Sequence, residues 1–576
     1  MVRMDTSLPL LNTPIAIAGG GPVGLMLALL LDRHNVKSVV FNLEETTRWH
    51  PKGSTHNSRT MEHYRRIGIS REVRKLGLPD DHPTDAVYFT RFNGREIARL
   101  AMQSAFEKRR TGMTAPCNFQ NFEPIHRANQ MYVEKFLLDH AKTRPNITLR
   151  FGWQVGEFKE DAAGVTVHAD RVAQETSNVN ADYAEHVVRN TGESETWRAD
   201  YLVGVDGGQS HVRRTLGIRY GGHENLKQSI FGGAMMSTYI RAPTLYRDCF
   251  ANRSGQYLWA FNAEQRMAMV NLNGIDEFMF NTPVPEGATF DEHLAIRSLH
   301  RACGYDAPVT VISNRKWTAG VAIWADRFWS GNRTFLAGDA IHLFTPTGGF
   351  GLNTGVDGAA NLAWKLAALV QGWGGAKLGA SYESERRPIA ERNTTAARVL
   401  AKSLGSVEIR KEIDEDGPTG DAARKLAGDF LGLIGEEFAS IGVQLGVRYD
   451  GSPIVFEDGA PPRDSINCYT PSGVPGGRAP HYYLDPPGMA DRRSLFDTFG
   501  VGFTLLRFDE KADPSALVDA AEKRGMPLDI VDVFDADARD LYGRDLALVR
   551  PDQHLCWRSD TLPRDCTGLV ARVVGD

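Results

Sequence analysis

Three stretches of the chain run from an apolar strand into a glycine-bearing turn, a pattern that lets a backbone approach a ligand closely. The first is "PIAIAGGGPVGLMLALLL", with Gly19, Gly21, Pro22, Val23 and Gly24 spaced as G-x-G-x-x-G. Glycine permits the tight turn and the close approach, and the following helix turns its positive end to the anion. The second is "YLVGVDGGQSHVRRTLGI", holding Asp206-Gly207. The third is "FLAGDAIHLFTPTGGFGLNTGVDGAANLAWKL", holding Gly338-Asp339, Pro346 and the run Gly348, Gly349, Gly351, Leu352, Asn353. Asp-Gly alone marks only a turn, and an acid after a strand can simply cap one. The three together, in this order and at these separations, form a very specific pattern.

The first loop lies inside a βαβ unit over residues 14–44, with "VKSVVFNLE" as its second strand. A dinucleotide fingerprint places an acid at the end of that strand for the ribose. Here the position holds Asn42, with Glu44 two residues on. "NSRTMEHYRRIGI" reads as a helix stopped at Gly68, and "QMYVEKFLLDHAKTR" as another amphipathic helix. Residues 171–199 read as a polar hairpin, and residues 222–330 as alternating strands. Residues 407–480 read as a glycine- and proline-rich connection with one helix inside. The tail from about 480 returns to alternating strand and helix.

Composition narrows the class. The 576 residues are enough for several domains, and 42% hydrophobic with 24% charged residues is ordinary for a globular protein. Glycine, at 57 residues, is abundant, as close backbone approach to a ligand would require. A net charge of -5 gives no reason to expect nucleic acid. The longest apolar run, Val23 to Leu31, falls short of the ~20 residues of a membrane span, and no leader sequence is apparent. The six cysteines form no C-x-x-C pair, which argues against a zinc ribbon or redox dithiol and suits a reducing cytoplasm.

These motifs, with "HPKGSTHNSRTME", "NQMYVEKFL", "YESERRP" and the ending "LALVRPDQHLCWR", resemble the single-component flavoprotein aromatic hydroxylases in the phenol hydroxylase branch. The resemblance covers nearly the whole chain. It implies an α/β fold, α+β in part: a Rossmann-like FAD-binding domain (residues 1–84, 126–221 and 329–406) interleaved with a β-sheet substrate domain (85–125 and 222–328). A connection (407–479) and a thioredoxin-like domain (480–576) without its dithiol would follow, the last at a dimer interface. The first glycine loop then takes the ADP half of FAD and the third the flavin half. Asp206-Gly207 is an element shared with the pyridine nucleotide. The resemblance puts Lys52 at a position where relatives carry an arginine to the phosphates, Gln130 beside the cofactor and the Val155 backbone at the adenine. Asp339 would hold a ribityl hydroxyl.

The implied reaction uses NADPH or NADH and O2 to hydroxylate a phenolic ring, ortho to its hydroxyl, through a flavin C4a-hydroperoxide. A tailoring hydroxylase for a polycyclic natural product has the same fold, and a flavin-binding sensor or assembly protein without turnover is the rival of another class. A phenol needs a base or strong acceptor at its hydroxyl. Relatives carry an aspartate or histidine where this chain has Ser54, so His56, Asn262 and Asp248 are further candidates. Tyr257, Trp259 and Phe261 share one strand face, and Leu258, Ala260 and Asn262 the other. Either face could line the pocket.

Overall fold

The computed structural model describes residues 10–111, 120–174, 188–223, 233–284, 291–319, 321–486 and 492–576. Cys117 lies outside them. Strands β1 (Leu10–Ala18) and β2 (Ser38–Asn42) flank helix α1 (Pro22–Arg33), and β1 pairs in parallel with both β2 and the long strand Val188–Gly204. Ile147–Phe151 continues the sheet beyond β2, Thr334–Leu336 pairs parallel to Val188–Gly204, and Val165–Gln174 and Trp153–Glu160 add antiparallel strands. The α1 run "GLMLALLL" is buried along its whole length because the sheet covers one side and helix α4 (Phe350–Val370) the other. An all-round apolar helix has to be central. The chain therefore leaves this sheet twice and returns each time, the second return bringing α4 against α1.

What it leaves to build is a second, seven-stranded sheet. Its order runs Thr310–Ala319, Gly233–Arg241, Glu277–Pro283, Arg266–Asn271, β5 (Tyr257–Phe261), Ala86–Phe89, Glu96–Leu100. The alternating pattern of residues 222–330 hides a short π-helical turn, Tyr246–Phe250, and an α-helix, Glu292–Cys303, capped by Asp291 and stopped by Gly304 at φ 79°. The α-helix's buried Ala295, Leu299 and Ala302 pack on Leu258 and Ala260, so that face of the sheet is core. The opposite face, with Trp259 and Phe261, packs on Tyr88, Met235, Leu404 and Leu431.

A separate two-residue ladder pairs β3 (Thr55–His56) with β4 (His126–Arg127). Helix α2 (Ser58–Arg66) follows β3, and α3 (Gln130–Lys142) follows β4, capped by Asn57 and Asn129 respectively. Helix α5 (Lys377–Gly405) runs unbroken through Pro388. The connection holds the helix Pro418–Leu433 and also the short Ile441–Leu445. The C-terminal domain runs strand, helix, strand, helix, two strands, helix, with sheet order Leu528–Asp532, Phe503–Arg507, Leu546–Val549, Leu555–Ser559. That is a thioredoxin-like arrangement, and Cys556 and Cys566 are buried, unpaired thiols within it.

Candidate active site

The first glycine loop is shaped by what glycine lacks. A Cβ on Gly19 (φ 121°) would lie 2.3 Å from the Val205 carbonyl oxygen, and one on Gly24 would lie 2.0 Å from the Gly19 oxygen. Over Gly21 a Cβ would meet no protein atom within 4 Å. Gly21 is also the N-cap of α1, which has no side-chain cap and no acid in its first turn. Free N–H donors at an uncapped helix start, under open space, suit a pyrophosphate. Asn42 serves this loop first: its Oδ1 accepts the Gly20 N–H at 3.0 Å and its Nδ2 donates to the Glu44 carbonyl at 3.0 Å. The strand ends at Asn42, so Glu44 lies in the turn beyond and pairs with Arg48 at 2.8 Å.

The third motif meets the first directly. A Cβ on Gly338 (φ 60°) would sit 3.3 Å from the Val23 methyls, and Gly355 of α4 packs on the same side chain. Tyr220 donates to the Asp339 carbonyl, and the Arg213 guanidinium lies 3.8 Å from the Tyr220 ring while donating to Gly208 and Ala340. The second motif thus supports the third. Asp206 accepts from the Ser210 hydroxyl and the N–H groups of His211 and Val212, capping its own turn. The Asp339 side chain is open to the groove. Its carboxyl is raised by desolvation, an effect opposed by the Lys52 and Arg48 cations. Burial and Arg48 lower the Lys52 ammonium, opposed by Asp339, Glu134 and Glu44. Gln130 donates to Glu134, and its N–H to the Gly53 carbonyl at 2.8 Å. Val155 is buried on the strand that pairs with Ala169.

Pro346 opens a turn through Gly348 (φ 78°) and Gly349 (φ 64°) into α4, whose start has neither a side-chain cap nor an acid. A Cβ on Gly349 would be 2.8 Å from the Thr55 Cβ, so Thr55 sits directly over this loop. Asn353 fixes the pair: Oδ1 accepts the Asn57 N–H at 2.8 Å, and Nδ2 donates to the Thr55 and Gly349 carbonyls at 2.9 and 2.6 Å. Two uncapped helix starts, an acid between two cations and glycines in left-handed backbone along one groove fit a flavin dinucleotide.

The candidate bases do not reach this groove. His56 is buried, its ring nitrogens placed against the Tyr64 hydroxyl (3.1 Å) and the Ala128 carbonyl (3.2 Å), and desolvation lowers it to about 4. With both nitrogens taken by protein partners, His56 is held as a buried, packed side chain and presents neither nitrogen to the groove. Ser54 is buried and accepts from Asn129 at 3.2 Å. Asn262 braces a hairpin, donating to the Thr90 carbonyl and accepting from Glu264 and Gln265. Asp248 pairs with Arg247 on the far side of the sheet.

The groove is met instead by Thr55, by Tyr257 of the strand face named above, and by Arg127, which no sequence pattern singled out. Arg127, 6% exposed, donates to the Thr55 hydroxyl at 2.7 Å and the Tyr257 hydroxyl at 2.9 Å, and lies over the Tyr257 and Phe438 rings. Its Nε has no partner, and among the described residues no carboxylate pairs with it. A buried cation without a counter-ion is costly unless an anion arrives. The available signal was strand alternation: in a two-residue strand, Thr55 and His56 must face opposite ways.

The chain matches the FAD binding domain family over residues 12–397 and the aromatic-ring hydroxylase C-terminal family over residues 472–576. It belongs to the FAD-dependent aromatic-ring hydroxylases. This hydroxylase is 30% identical to a putative polyketide hydroxylase of Streptomyces halstedii, over 98% of this chain and 96% of that one. It is 27% identical to 2,4-dichlorophenol 6-monooxygenase of Delftia acidovorans, over 96% of each. The solved structure of RebC soaked with chromopyrrolic acid and holding 7-carboxy-K252c superposes with a TM-score of 0.85 at 30% identity, covering 98% of this chain and 100% of that one. Among the described residues no helix of the hydroxylase is long and apolar enough to cross a membrane.

Proposed function

We propose that this hydroxylase inserts one oxygen atom of O2 into a phenolic ring, ortho to an existing hydroxyl, with electrons from NADPH or NADH. The balance is ring C–H, O2, NAD(P)H and a proton going to ring C–OH, water and NAD(P)+. The bound flavin supplies the activated oxygen. The observation that carries the reading is Arg127, buried between Thr55, which stands over the flavin loop, and Tyr257 of the substrate sheet, with no carboxylate paired to it among the described residues.

A substrate hydroxyl beside Arg127 and Tyr257 loses its proton more readily, because the guanidinium stabilises the phenolate. Hydrogen bonds to a charged group contribute about 1.5–3 kcal/mol, which lowers a phenol pKa by roughly one to two units. The phenolate raises electron density at its ortho and para carbons. Tyr257 and Thr55 then orient the oxygen rather than ionise it. In the test, Arg127→Met and Tyr257→Phe are assayed against phenols, resorcinols and hydroxybenzoates. Wild type should couple NAD(P)H oxidation to product, and Arg127→Met should shift its pH profile toward alkaline values. An unchanged profile would refute the assignment.

A second reading, a tailoring hydroxylase for a larger ring system, is favoured by the similarity to the polyketide hydroxylase. The same Arg127 then holds an acidic group at one end of the ring system, and a panel of larger rings separates the two.

A further inference from the structure

The C-terminal domain reaches the flavin loop through a chain of buried polar contacts that the reaction itself does not use. Arg59 of α2 donates to the Asp552 carbonyl at 2.6 Å and to Gln553 Oε1 at 2.8 Å, both on the turn between the last two strands of that domain. On its other side Arg59 meets Asp357 of α4 at 3.3 Å and Glu62 at 2.7 Å. The Asp552 carboxylate accepts from Asn361 of α4 at 3.1 Å and from Arg550, which also bonds Glu385 of α5 at 2.6 Å. One turn therefore bonds α2 and α4 together.

Those two helices carry the flavin seat. Helix α4 starts at Gly349–Phe350, and α2 is capped by Asn57, whose N–H is held by Asn353 of α4. Thr55, two residues before that cap, stands over Gly349. The contacts close a ring: flavin loop, Asn353, Asn57, α2, Arg59, the Asp552–Gln553 turn, α4, and back to the flavin loop. Gln553 stands at φ 65°, a left-handed backbone that a glutamine rarely adopts. Its backbone accepts from Ala479, while its side-chain oxygen lies buried on Arg59. Strain of this kind persists only where surroundings impose it.

We propose that Gln553 is a positioning residue through which the thioredoxin-like domain sets the spacing of α2 and α4, and so holds Thr55 and the Gly349 loop in register for the flavin. The inference rests on the flavin seat and is independent of which ring is hydroxylated. Gln553→Gly relieves the backbone strain while removing the acceptor, so the thermal midpoint of the whole chain should hold or rise. FAD should bind about three- to tenfold more weakly, because only part of the hydrogen bond lost at Arg59 is felt at the flavin seat. Amide exchange should speed up at Asn57 and Asn353 while β1 stays protected. Gln553→Glu keeps an acceptor for Arg59 and should restore both readouts. Gln553→Asn, shorter and tolerant of the left-handed backbone, repeats the test should the glycine chain not fold. Unchanged FAD affinity and exchange in Gln553→Gly would overturn the proposal, and so would a loss that Gln553→Glu shares. A substrate panel that finds no phenol turned over would count against the proposed reaction and leave these two readouts intact.

Discussion

At Gly21 an added methyl group meets no protein atom within 4 Å, and the backbone, φ -72° and ψ -176°, is one that alanine adopts freely. Gly21→Ala therefore costs the flavin-free protein nothing in packing. It removes unfolded-chain freedom, which stabilises by about 0.4–1 kcal/mol. The space the methyl enters lies at the uncapped start of α1, where a pyrophosphate would accept backbone N–H groups. Pushing the phosphate away weakens one such charge-assisted bond, worth about 1.5–3 kcal/mol. At 1.4 kcal/mol per factor of ten, FAD affinity should fall roughly ten- to hundredfold. The comparison is Gly24→Ala, whose Cβ would lie 2.0 Å from the Gly19 oxygen and so forces backbone apart. That change should lower the melting temperature of the flavin-free chain, because overpacking of this kind costs about 1–3 kcal/mol or more. The assay is FAD titration of stripped protein by fluorescence quenching, beside thermal melts without FAD. If Gly21→Ala binds FAD within about twofold of wild type, or melts like Gly24→Ala, the reasoning about this loop fails.

Arg127→Met keeps the side-chain volume and removes the charge, so kcat/KM for phenols should fall about a hundredfold, the equivalent of roughly 2.7 kcal/mol, with FAD affinity little changed; steady-state kinetics and FAD titration read the two separately. Asn42→Asp restores the acid of the fingerprint but sets a carboxylate against the Glu44 carbonyl that Asn42 now donates to. It should lower the melting temperature without tightening FAD. His56 titrates at 6.5 unfolded and at about 4 folded, so between those values only the unfolded chain takes up the proton. Stability present above pH 6.5 is lost as pH falls toward 4, by about 2 kcal/mol at pH 5 from this site alone. His63, also held near 4 by burial and by Arg59, adds to the same loss. Urea midpoints from pH 7 to 5 should fall, and His56→Gln should flatten the slope.

The glycine loops were legible because their requirement is local: a positive φ or a missing Cβ is written in the residue itself. The alternation of residues 257–262 was legible too, but not which face was core. That depends on the helix Glu292–Cys303, whose Asp291 cap and Gly304 stop were readable signals overridden by the strands around it. His56 drew attention as the ionisable residue nearest Ser54. Its partners, Tyr64 and the Ala128 carbonyl, come from a helix and from a strand end 72 residues away. Arg127 was silent for the same reason: what makes it notable is that it meets Thr55 and Tyr257 and pairs with no carboxylate among the described residues, which exists only in three dimensions. The polar ring through Asp552 and Gln553 joins residues more than 490 positions apart, beyond any pattern in the chain.

The most direct measurement is the fate of oxygen. Holoenzyme is given 18O2, NAD(P)H and a panel of phenols and larger rings bearing an acidic group, with peroxide assayed in parallel. The account predicts one 18O atom per ring for each NAD(P)H oxidised, low peroxide, and loss of that coupling in Arg127→Met. NAD(P)H oxidised with all the label recovered as peroxide, for every ring in the panel, would contradict it.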